Sequence, residues 1–364
     1  MRKILLILFL CISTIAISQE AYYLNAPNAV DFSLNGINLK NALATKISNN
    51  TTPLPYTSGS FDTWDALKLA DVNPQNATEV LLIYGWEDGS DGNVQNDRER
   101  GIDNNGGDVG DWNREHVFSK SLATPSLTTS NPGPGTDIHN LRPSDVQWNN
   151  TRGSRKFATG SGNSGTVGSN WYPGDEWKGD VARMMMYMYL RYDGDGSSVT
   201  ETQCLASNVG VGNAIANDAN MIDLFLQWNA DDPVSDVERQ RNPVSEDKQG
   251  NRNPFIDNPY LATKIWGGPE AEDIWGTLGV NDIVLSKAFK IYPNPATQHT
   301  IFIESNTVII EQITLFNITG QQILVKNNTQ KNNDQIILDN LPSGFYVLRI
   351  NSEKGIISKK LIIN

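Results

Sequence analysis

The pattern of the sequence changes after residue 282, and the part that follows can form few folds. Short runs of β-branched and other apolar residues recur there between turn sequences such as NPAT, NITG and LPSG. The runs are FKIYPN, TIFIES, VIIEQITLFN, QQILVKN, QIILDN, GFYVLRI and IISKKLII. Strands this short and this closely spaced are typical of a small antiparallel sandwich. We therefore expect residues 283–364 to form an Ig-like β-sandwich.

Residues 19–282 carry both helical and strand patterns, which predicts an α+β domain. Apolar residues at three- and four-residue steps predict helices in FDTWDALKLADV (61–72) and GDVARMMMYMYLRY (179–192). EVLLIYGW (79–86) is a strand candidate, and the Gly-, Asp- and Asn-rich residues 87–110 predict a loop.

The N terminus predicts export. Residues 1–18 begin with Met-Arg-Lys and continue with an apolar run that ends near small residues, which is the pattern of a secretory signal peptide. The run is too short for a transmembrane helix, and no later stretch reaches the required length of about 20 apolar residues. We expect a secreted or cell-surface protein, a monomer, without a transmembrane helix.

The cysteines exclude an internal disulfide in the exported chain. Cys11 lies in the predicted signal peptide, and its removal leaves Cys204 alone. No histidine lies near Cys204 in the sequence, so we expect a small buried residue there rather than a nucleophile.

The charge distribution restricts the possible ligands. The net charge is −12, and the acidic excess lies before residue 283. This argues against nucleic-acid binding, because phosphate contacts require Lys and Arg. A basic cluster answers the objection, since Arg142, Arg152, Arg155 and Lys156 are close in sequence. A few cations are enough for local phosphate contacts if a bound metal ion adds to the positive field.

The stretch DWNREHVFSKS places Glu115 beside His116, in a chain with 3 histidines. A neutral histidine with a free Nε2 can act as a general base near neutral pH. A carboxylate together with an amide oxygen suits a hard divalent ion such as Mg²⁺, which keeps waters in its remaining positions. The stretch therefore indicates metal-assisted hydrolysis of a phosphodiester.

A second segment, TDIHNLRPSDVQWNNTRGSRKF, supplies the amide. Ser144 and Gln147 have the spacing of a capping box, which predicts a helix from Asp145. On that helix Asn149 and Arg152 are three residues apart and share a face. We expect Asn149 to bind the ion and Arg152 to bind a phosphate oxygen.

Six segments together resemble the bacterial endonuclease I family, which comprises periplasmic and extracellular nucleases of the His-Me finger (ββα-metal) type. They occur in family order, and they are NREHVF, DIHNLRPS, WNNTRGSRKF, DEWKGDVARMMMYMYLRY, WNADDPVSDVERQRN and KQGNRNPFID. The resemblance implies a His-Me finger domain over residues 19–282. It also implies cleavage of DNA, and in many members of RNA, with little sequence preference and with 5′-phosphate products.

The resemblance assigns roles to three residues of the site. The general base of the family falls on His116, and its metal-binding residues fall on Glu115 and Asn149. Arg155 is expected on a substrate phosphate, as Arg152 is. Three further residues are expected to support the site: His139, which is also the rival for the base, Asn140 and Asn150.

Two positions depart from the family pattern. Ser119 stands where a proline often follows the REHV motif, and we expect a looser turn there. Arg252 stands where a histidine is common near the last motif, and we give it no catalytic role. A geometric constraint applies as well, since adjacent residues of a regular strand face opposite sides. Glu115 and His116 can share a site only at a strand end or an irregular step, and we predict such an irregularity.

The C-terminal domain resembles the sorting domain of type IX secretion substrates. The similarity lies in IYPNP (291–295), ITLFNITGQQI (313–323), LPSGFYVLRI (341–350) and the terminal KKLIIN. It implies recognition by the type IX secretion machinery, followed by removal of the domain or its use in surface attachment. A plain Ig-like binding module is the alternative.

Two alternatives to a DNA-cutting enzyme remain open, an extracellular ribonuclease on the same scaffold and a catalytically inactive surface-binding module. The acidic loops EDGSDGN (87–93) and YDGDGSS (192–198) also resemble Ca²⁺-binding loops, but the late glutamate of an EF-hand is missing. Solvated loops are the simpler interpretation, and a structural Ca²⁺ is the alternative.

Overall fold

The computed structural model describes residues 21–194, 201–275, 289–297, 299–305, 308–317, 321–327, 336–352 and 355–364. The chain divides into two compact units, Met1–Trp275 and Gly276–Asn364. The predicted signal peptide and the predicted boundary after residue 282 lie outside the described residues, so both stay predictions. Within the described ranges, no helix combines the length and the apolar character that crossing a membrane requires.

The first unit combines helices with short antiparallel strands, as the α+β prediction requires. Its helices are α1 (Gly36–Ser48), α2 (Thr63–Ala70), α3 (Val146–Arg152), α4 (Lys178–Arg191), α5 (Ala206–Val209), α6 (Asp223–Asp231), α7 (Asp236–Gln249), α8 (Pro254–Asp257) and α9 (Tyr260–Trp266). Its strands are β1 (Val72–Asn73), β2 (Asn76–Leu81), β3 (Glu99–Gly101), β4 (Trp112–His116), β5 (Leu141–Asp145), β6 (Gly165–Val167), β7 (Asn170–Tyr172), β8 (Ala214–Ile215) and β9 (Asp218–Ile222). They form the sheet β1-β2-β3 and the pairs β4-β5, β6-β7 and β8-β9.

Helix α4 lies at the centre of the core of this unit. Its residues are buried from Gly179 to Arg191. Its apolar side chains belong to one cluster with residues of α1 and α6. Methionine is unbranched and adapts to irregular gaps, so the run Met184, Met185 and Met186 fills the space between the neighbouring helices. The predicted helix over residues 179–192 is confirmed.

Strands β4 and β5 pair antiparallel, and α3 follows β5 directly. The side chain of Asp145 accepts hydrogen bonds from the backbone N–H groups of Gln147 (2.8 Å) and Trp148 (2.9 Å). This satisfies two of the unpaired donors at the start of a helix. The predicted capping box from Ser144 is therefore wrong, because Ser144 is a buried residue of β5.

Two predicted elements between α2 and β4 differ from the structure. The strand predicted over residues 79–86 ends at Leu81, the last residue of β2. The chain turns shortly afterwards at Tyr84, whose φ is 74°. The loop predicted over residues 87–110 contains β3, which pairs with β2. The helix predicted over residues 61–72 is present as α2, which Asp62 and Asp65 begin with a capping box.

The second unit contains two antiparallel sheets. Its strands are β10 (Phe289–Tyr292), β11 (Ile301–Ser305), β12 (Ile310–Asn317), β13 (Gln322–Asn327), β14 (Ile336–Leu338), β15 (Gly344–Ser352) and β16 (Gly355–Ile363). The strand orders are β10-β11-β14 and β13-β12-β15-β16. Buried residues of both sheets, among them Ile303 and Leu348, belong to one apolar cluster. The two sheets thus share a core, which is the packing of a sandwich.

Candidate active site

The end of β4, the turn that follows and α3 line a pocket of about 340 Å³. Its lining residues are Tyr56, Arg114, Glu115, His116, Ser119, Lys120, Ser121, Asn149, Gly153 and Ser154. The pocket therefore brings together the three residues for which the sequence predicted the central roles, Glu115, His116 and Asn149. They come from two elements, the strand and the helix of the β4-β5-α3 arrangement.

Glu115 and His116 share the pocket because β4 ends there. The pairing of β4 with β5 runs from Trp112 to His116 without a shift of register. Of the two conditions predicted for such a pair, the strand end is the one present, since His116 is the last residue of the strand. Beyond His116 the backbone no longer has to keep the alternation of a pleated strand.

His116 is held by two contacts. Its Nε2 lies 2.8 Å from the carbonyl oxygen of Gly135, and its ring stacks on that of Tyr56 at 5.6 Å between centroids. A carbonyl oxygen can only accept a hydrogen bond, so Nε2 carries the hydrogen and Nδ1 is the basic nitrogen. The expectation that Nε2 is the free nitrogen is corrected accordingly.

Burial keeps His116 neutral. Its loss of contact with water lowers the pKa to about 4, and the hydrogen bond to Gly135 acts in the opposite direction without compensating. At neutral pH the imidazole therefore has a lone pair available on Nδ1. A neutral ring is the form that a general base requires before it accepts a proton.

Glu115 is buried, with 3% of its surface exposed. Its Oε1 accepts hydrogen bonds from the hydroxyl of Tyr84 (3.2 Å) and faces Nη1 of Arg152 at 3.1 Å. Burial raises the pKa of Glu115 to about 7, while Arg152 and Tyr84 act against that rise. A cation placed in the pocket would favour the ionised carboxylate further.

Asn149 presents an amide to the same pocket. Its Nδ2 donates to Oδ1 of Asn113 at 2.7 Å. Because this bond uses the nitrogen of the amide, the oxygen Oδ1 of Asn149 is the atom suited to bind a cation. One carboxylate and one amide oxygen form a hard donor set that fits Mg²⁺. Over the described part of the chain, no group of three or more His, Cys, Asp or Glu could hold a metal. An ion bound by Glu115 and Asn149 would thus complete its coordination with water or substrate oxygens.

The position of Arg152 does not fit the predicted phosphate contact. The residue is 0% exposed, and its guanidinium donates to the backbone oxygens of His116 (3.2 Å) and Val117 (2.7 Å). It also bonds the hydroxyl of Ser119. With Glu115 as its charge partner, Arg152 braces the end of β4 from behind the pocket.

Ser119 strengthens the turn that was expected to be loose. Its hydroxyl accepts from Arg152 and lies 3.2 Å from the carbonyl oxygen of Gly153, to which it donates. These bonds connect the turn after β4 to the end of α3. A proline could not make them, because it has no side-chain donor.

Arg155 lies outside the lining of the pocket. Its guanidinium donates to the carbonyl oxygens of Thr151 and Arg152 at the end of α3, and its contact with phosphate stays a prediction. Asn150 is exposed, so its predicted support of the site has no visible contact behind it.

The remaining supporting residues lie behind the pocket. Asn140 ties the chain after His116, since its amide donates to the oxygen of Phe118 (3.2 Å) and accepts from the nitrogen of Phe118 (2.7 Å). His139 is buried next to Tyr187, and its Nε2 is 3.2 Å from the oxygen of Asn251. His139 is not among the lining residues, which argues against it as the base.

Several residues of the site had no assigned role at the level of the sequence. Arg114 stacks between the rings of Tyr56 and Trp64, at 3.5 Å and 3.9 Å from their centroids, and Lys120 is an exposed cation of the lining. Arg114 directly precedes the Glu-His pair and Lys120 follows it by four residues. Cations this close to the pair in sequence could have been predicted as part of the site. Tyr56 and Tyr84 lie far away in sequence and carry no such signal.

The acidic loops give no support to a structural Ca²⁺. In the loop over residues 87–93, the carboxylate of Glu87 accepts from the N–H groups of Gly89 (2.7 Å) and Ser90 (3.1 Å), so it closes its own turn. Residues 195–198 of the other loop lie outside the described residues. The calcium site stays a prediction.

Comparison with known proteins identifies the family of the chain. Residues 35–260 match the family Endonuclease I, and residues 290–364 match the secretion system C-terminal sorting domain. An extracellular ribonuclease of Bacillus amyloliquefaciens is 41% identical over 255 residues, which cover 68% of this chain and 78% of that protein. An extracellular ribonuclease of Bacillus subtilis (strain 168) is 43% identical over 238 residues, which cover 64% and 75%. The chain therefore belongs to the endonuclease I family, as an exported nuclease that hydrolyses phosphodiester bonds and carries a type IX sorting domain at its C-terminal end.

Proposed function

We propose that this nuclease is a metal-dependent endonuclease that cuts DNA and RNA with little sequence preference. The observation that carries the proposal is the convergence of Glu115, His116 and Asn149 on one pocket. The pocket holds one basic nitrogen and two hard oxygen donors, which is the minimum set for hydrolysis assisted by a single ion. No part of this set reads a base.

His116 performs the proton transfer of the proposed reaction. Nδ1 takes a proton from a water molecule, whose oxygen attacks phosphorus in line with the 3′ oxygen. The bond from phosphorus to the 3′ oxygen breaks, and this oxygen takes a proton from solvent water, which leaves a 5′-phosphate and a 3′ hydroxyl. His116 then returns its proton to the solvent. Glu115 and Asn149 would hold a divalent ion, which would supply positive charge to stabilise the transition state. The carbonyl of Gly135 fixes the tautomer throughout.

Phosphate binding falls to Lys120 in this proposal. Lys120 is exposed and lines the pocket, whereas Arg152 is enclosed. Arg114 lines the pocket as well, but its guanidinium donates to the oxygen of Tyr56 and to the hydroxyl of Thr63 (3.0 Å). We therefore assign Arg114 to the wall of the site and Lys120 to the substrate.

The test compares the two buried histidines. His116→Ala should lower the hydrolysis rate about 10²–10⁴-fold, the usual contribution of a general base, while binding of Mn²⁺ and of duplex DNA persists. His139→Gln is the matched control, since it removes a buried imidazole outside the pocket, and it should keep most of the activity of the folded protein. Chelator should abolish cleavage by wild type, and Mg²⁺ or Mn²⁺ should restore it. Turnover by His116→Ala at the rate of wild type would overturn the assignment.

A preference for RNA is the second candidate, because both reported relatives are named extracellular ribonucleases. Hydrolysis rates on single-stranded RNA and on duplex DNA measure the preference. A separate experiment identifies the nucleophile. If water is the nucleophile, an RNA strand with a single 2′-deoxy nucleotide at the cut is still cleaved there and leaves a 5′-phosphate. If the 2′ hydroxyl is the nucleophile, that bond resists cleavage, and its ribose counterpart gives a 2′,3′-cyclic phosphate. The second pattern would contradict the proposed mechanism.

We also propose that the type IX secretion machinery recognises the C-terminal unit and that the unit is then removed or retained as a surface attachment. The mass of the protein in the culture medium distinguishes the two fates, since removal shortens the chain by about the length of the sorting-domain match, residues 290–364.

A further inference from the structure

Tyr84 has a backbone conformation that is unusual for its side chain. Its φ is 74°, which lies in the left-handed region where bulky residues are rare. Residues held in such conformations cluster at functional sites, where the surrounding structure enforces them. The sequence pattern of residues 79–86 predicted an ordinary strand residue at this position. The surrounding structure must therefore enforce the positive φ of Tyr84.

The surroundings hold Tyr84 firmly. The residue is 0% exposed, and its carbonyl oxygen accepts a hydrogen bond from the hydroxyl of Ser164 at 2.6 Å. Its ring packs edge-on against Trp171 at 5.6 Å. The next residue, Gly85, has no room for a Cβ, which would come within 2.2 Å of the carbonyl oxygen of Asp97. The turn is thus fixed on both sides of Tyr84.

The turn directs the Tyr84 hydroxyl at Glu115. The hydroxyl donates to Oε1 at 3.2 Å, and Nη1 of Arg152 lies 3.1 Å from the same oxygen. Two donors therefore occupy one oxygen of the carboxylate. Glu115 and Asn149 both line the pocket, and we assign to the ion the carboxylate oxygen that these two donors do not contact, Oε2.

We propose that Tyr84 is a positioning residue for metal binding, which fixes the carboxylate of Glu115 so that Oε2 is presented to the ion. This inference rests on the proposed function, since it assumes that Glu115 binds a cation. Groups that orient a metal ligand from behind raise metal affinity without touching the metal.

Tyr84 and Arg152 contribute differently to this arrangement. Arg152 brings a full positive charge close to the ligand, which repels a cation in the pocket as well as stabilising the carboxylate. The hydroxyl of Tyr84 is neutral, so it orients Glu115 without that repulsion. The tyrosine therefore sets geometry where a second arginine would weaken the site.

The experiment measures metal binding directly, on the full chain without substrate. Free Mn²⁺ is followed by electron paramagnetic resonance while the protein is titrated with it. Tyr84→Phe removes the hydroxyl and keeps the ring, so we expect the Kd for Mn²⁺ to rise about tenfold or more. The turnover number at saturating Mn²⁺ should fall much less than the affinity does. An unchanged Kd in Tyr84→Phe would overturn the inference.

Tyr23→Phe is the matched control. It removes another buried tyrosine hydroxyl, which donates to Oδ2 of Asp257 at 2.7 Å, away from the pocket lining. It should lower the melting temperature about as much as Tyr84→Phe and leave the Kd for Mn²⁺ unchanged. An equal loss of Mn²⁺ affinity in Tyr23→Phe would mean that general loosening explains the effect, and the inference would fall.

A double-mutant cycle tests whether Tyr84 acts through Glu115. Glu115→Asp shortens the side chain and withdraws the carboxylate from the tyrosine hydroxyl. On that background the added Tyr84→Phe change should alter the Kd about twofold or less, because the two residues no longer interact. A full effect on that background would contradict action through Glu115. If wild type itself binds no Mn²⁺ at the pocket, the proposed function fails, which is a different outcome from normal binding by both forms.

Discussion

Burial decides what each cation near the pocket does. A charged side chain leaves water at low cost only where charge partners and hydrogen bonds replace the water. Arg152 is 0% exposed and meets Glu115 and the backbone around His116. Lys120 is exposed and lines the pocket. The two cations look equivalent in sequence, but they have different surroundings in the folded chain.

Arg152 is expected to matter for stability. Arg152→Ala leaves the buried carboxylate of Glu115 without its charge partner, so the free energy of unfolding should fall by about 3–5 kcal/mol. Arg155→Ala is the control, since that half-buried side chain meets carbonyl oxygens at the end of its own helix. Its loss should stay within about 0.5 kcal/mol. Urea unfolding of both variants measures the difference, and equal losses would contradict the assigned role of Arg152.

The sequence predicted three residues that line the candidate pocket and missed the contacts that orient them. Glu115, His116 and Asn149 carry family motifs, and the structure brings them together. The tautomer of His116 depends on Gly135, which lies 19 residues away, and the orientation of Glu115 depends on Tyr84, 31 residues away. Such contacts follow from the path of the chain in space, which no local pattern encodes.

The start of α3 connects the helix to the sheet pair beneath it. Asp145 caps the helix with Oδ1, while its Oδ2 accepts from Nη1 of Arg100 at 2.9 Å. Asn149 lies one turn further along α3. The position of the Asn149 amide therefore depends on a carboxylate that does not line the pocket.

Asp145→Ala should destabilise the protein by more than the loss of a helix cap, which is about 1 kcal/mol, because Arg100 also loses a buried partner. Ser144→Ala tests the cap that the sequence suggested, and it should cost less, since that hydroxyl makes one long contact of 3.4 Å to the oxygen of Ile83. Urea unfolding ranks the two variants. A larger loss in Ser144→Ala would restore Ser144 as the cap.

Helices with strong periodicity were predictable, and boundaries set by tertiary contacts were not. Helices α2 and α4 have apolar residues at helical steps, and both are present. The run over residues 79–86 is apolar because it is buried, yet it leaves the strand at Leu81 and turns at Tyr84. Serine and aspartate both cap helices well, so the sequence could not choose between Ser144 and Asp145.

The buried histidines make the stability of the protein sensitive to acid. Burial lowers the pKa of His139 to about 4, against about 6.5 in an unfolded chain. Between these values the unfolded chain binds the proton and the folded chain does not, so this contribution to stability is lost as the pH falls from about 6.5 to about 4. Glu115 acts in the opposite direction, because its pKa is raised to about 7.

Because Glu115 also titrates, the contribution of His139 is the difference in unfolding free energy between wild type and His139→Gln. As the pH falls from about 6.5 to about 4, the wild type should lose roughly 3 kcal/mol more of its unfolding free energy than the variant loses. Urea unfolding at pH 7, 5.5 and 4.5 measures both curves. Parallel curves over this range would show that His139 does not carry a depressed pKa.

Hydrolysis and export occupy different parts of the chain. The Endonuclease I match covers residues 35–260 and the sorting-domain match covers residues 290–364, on either side of the division between the compact units at residues 275 and 276. The first unit contains the pocket and the apolar core around α4. The second unit has an apolar core of its own.

Cys204 is a free, fully enclosed cysteine, and burial raises the pKa of its thiol. No partner remains for it once the predicted signal peptide, with Cys11, is gone. In the described part of the chain, the thiol of Cys204 is therefore closed to alkylating reagents in the folded state. Dithiothreitol should leave the melting temperature of the exported protein unchanged, because a lone buried cysteine offers it no disulfide to reduce.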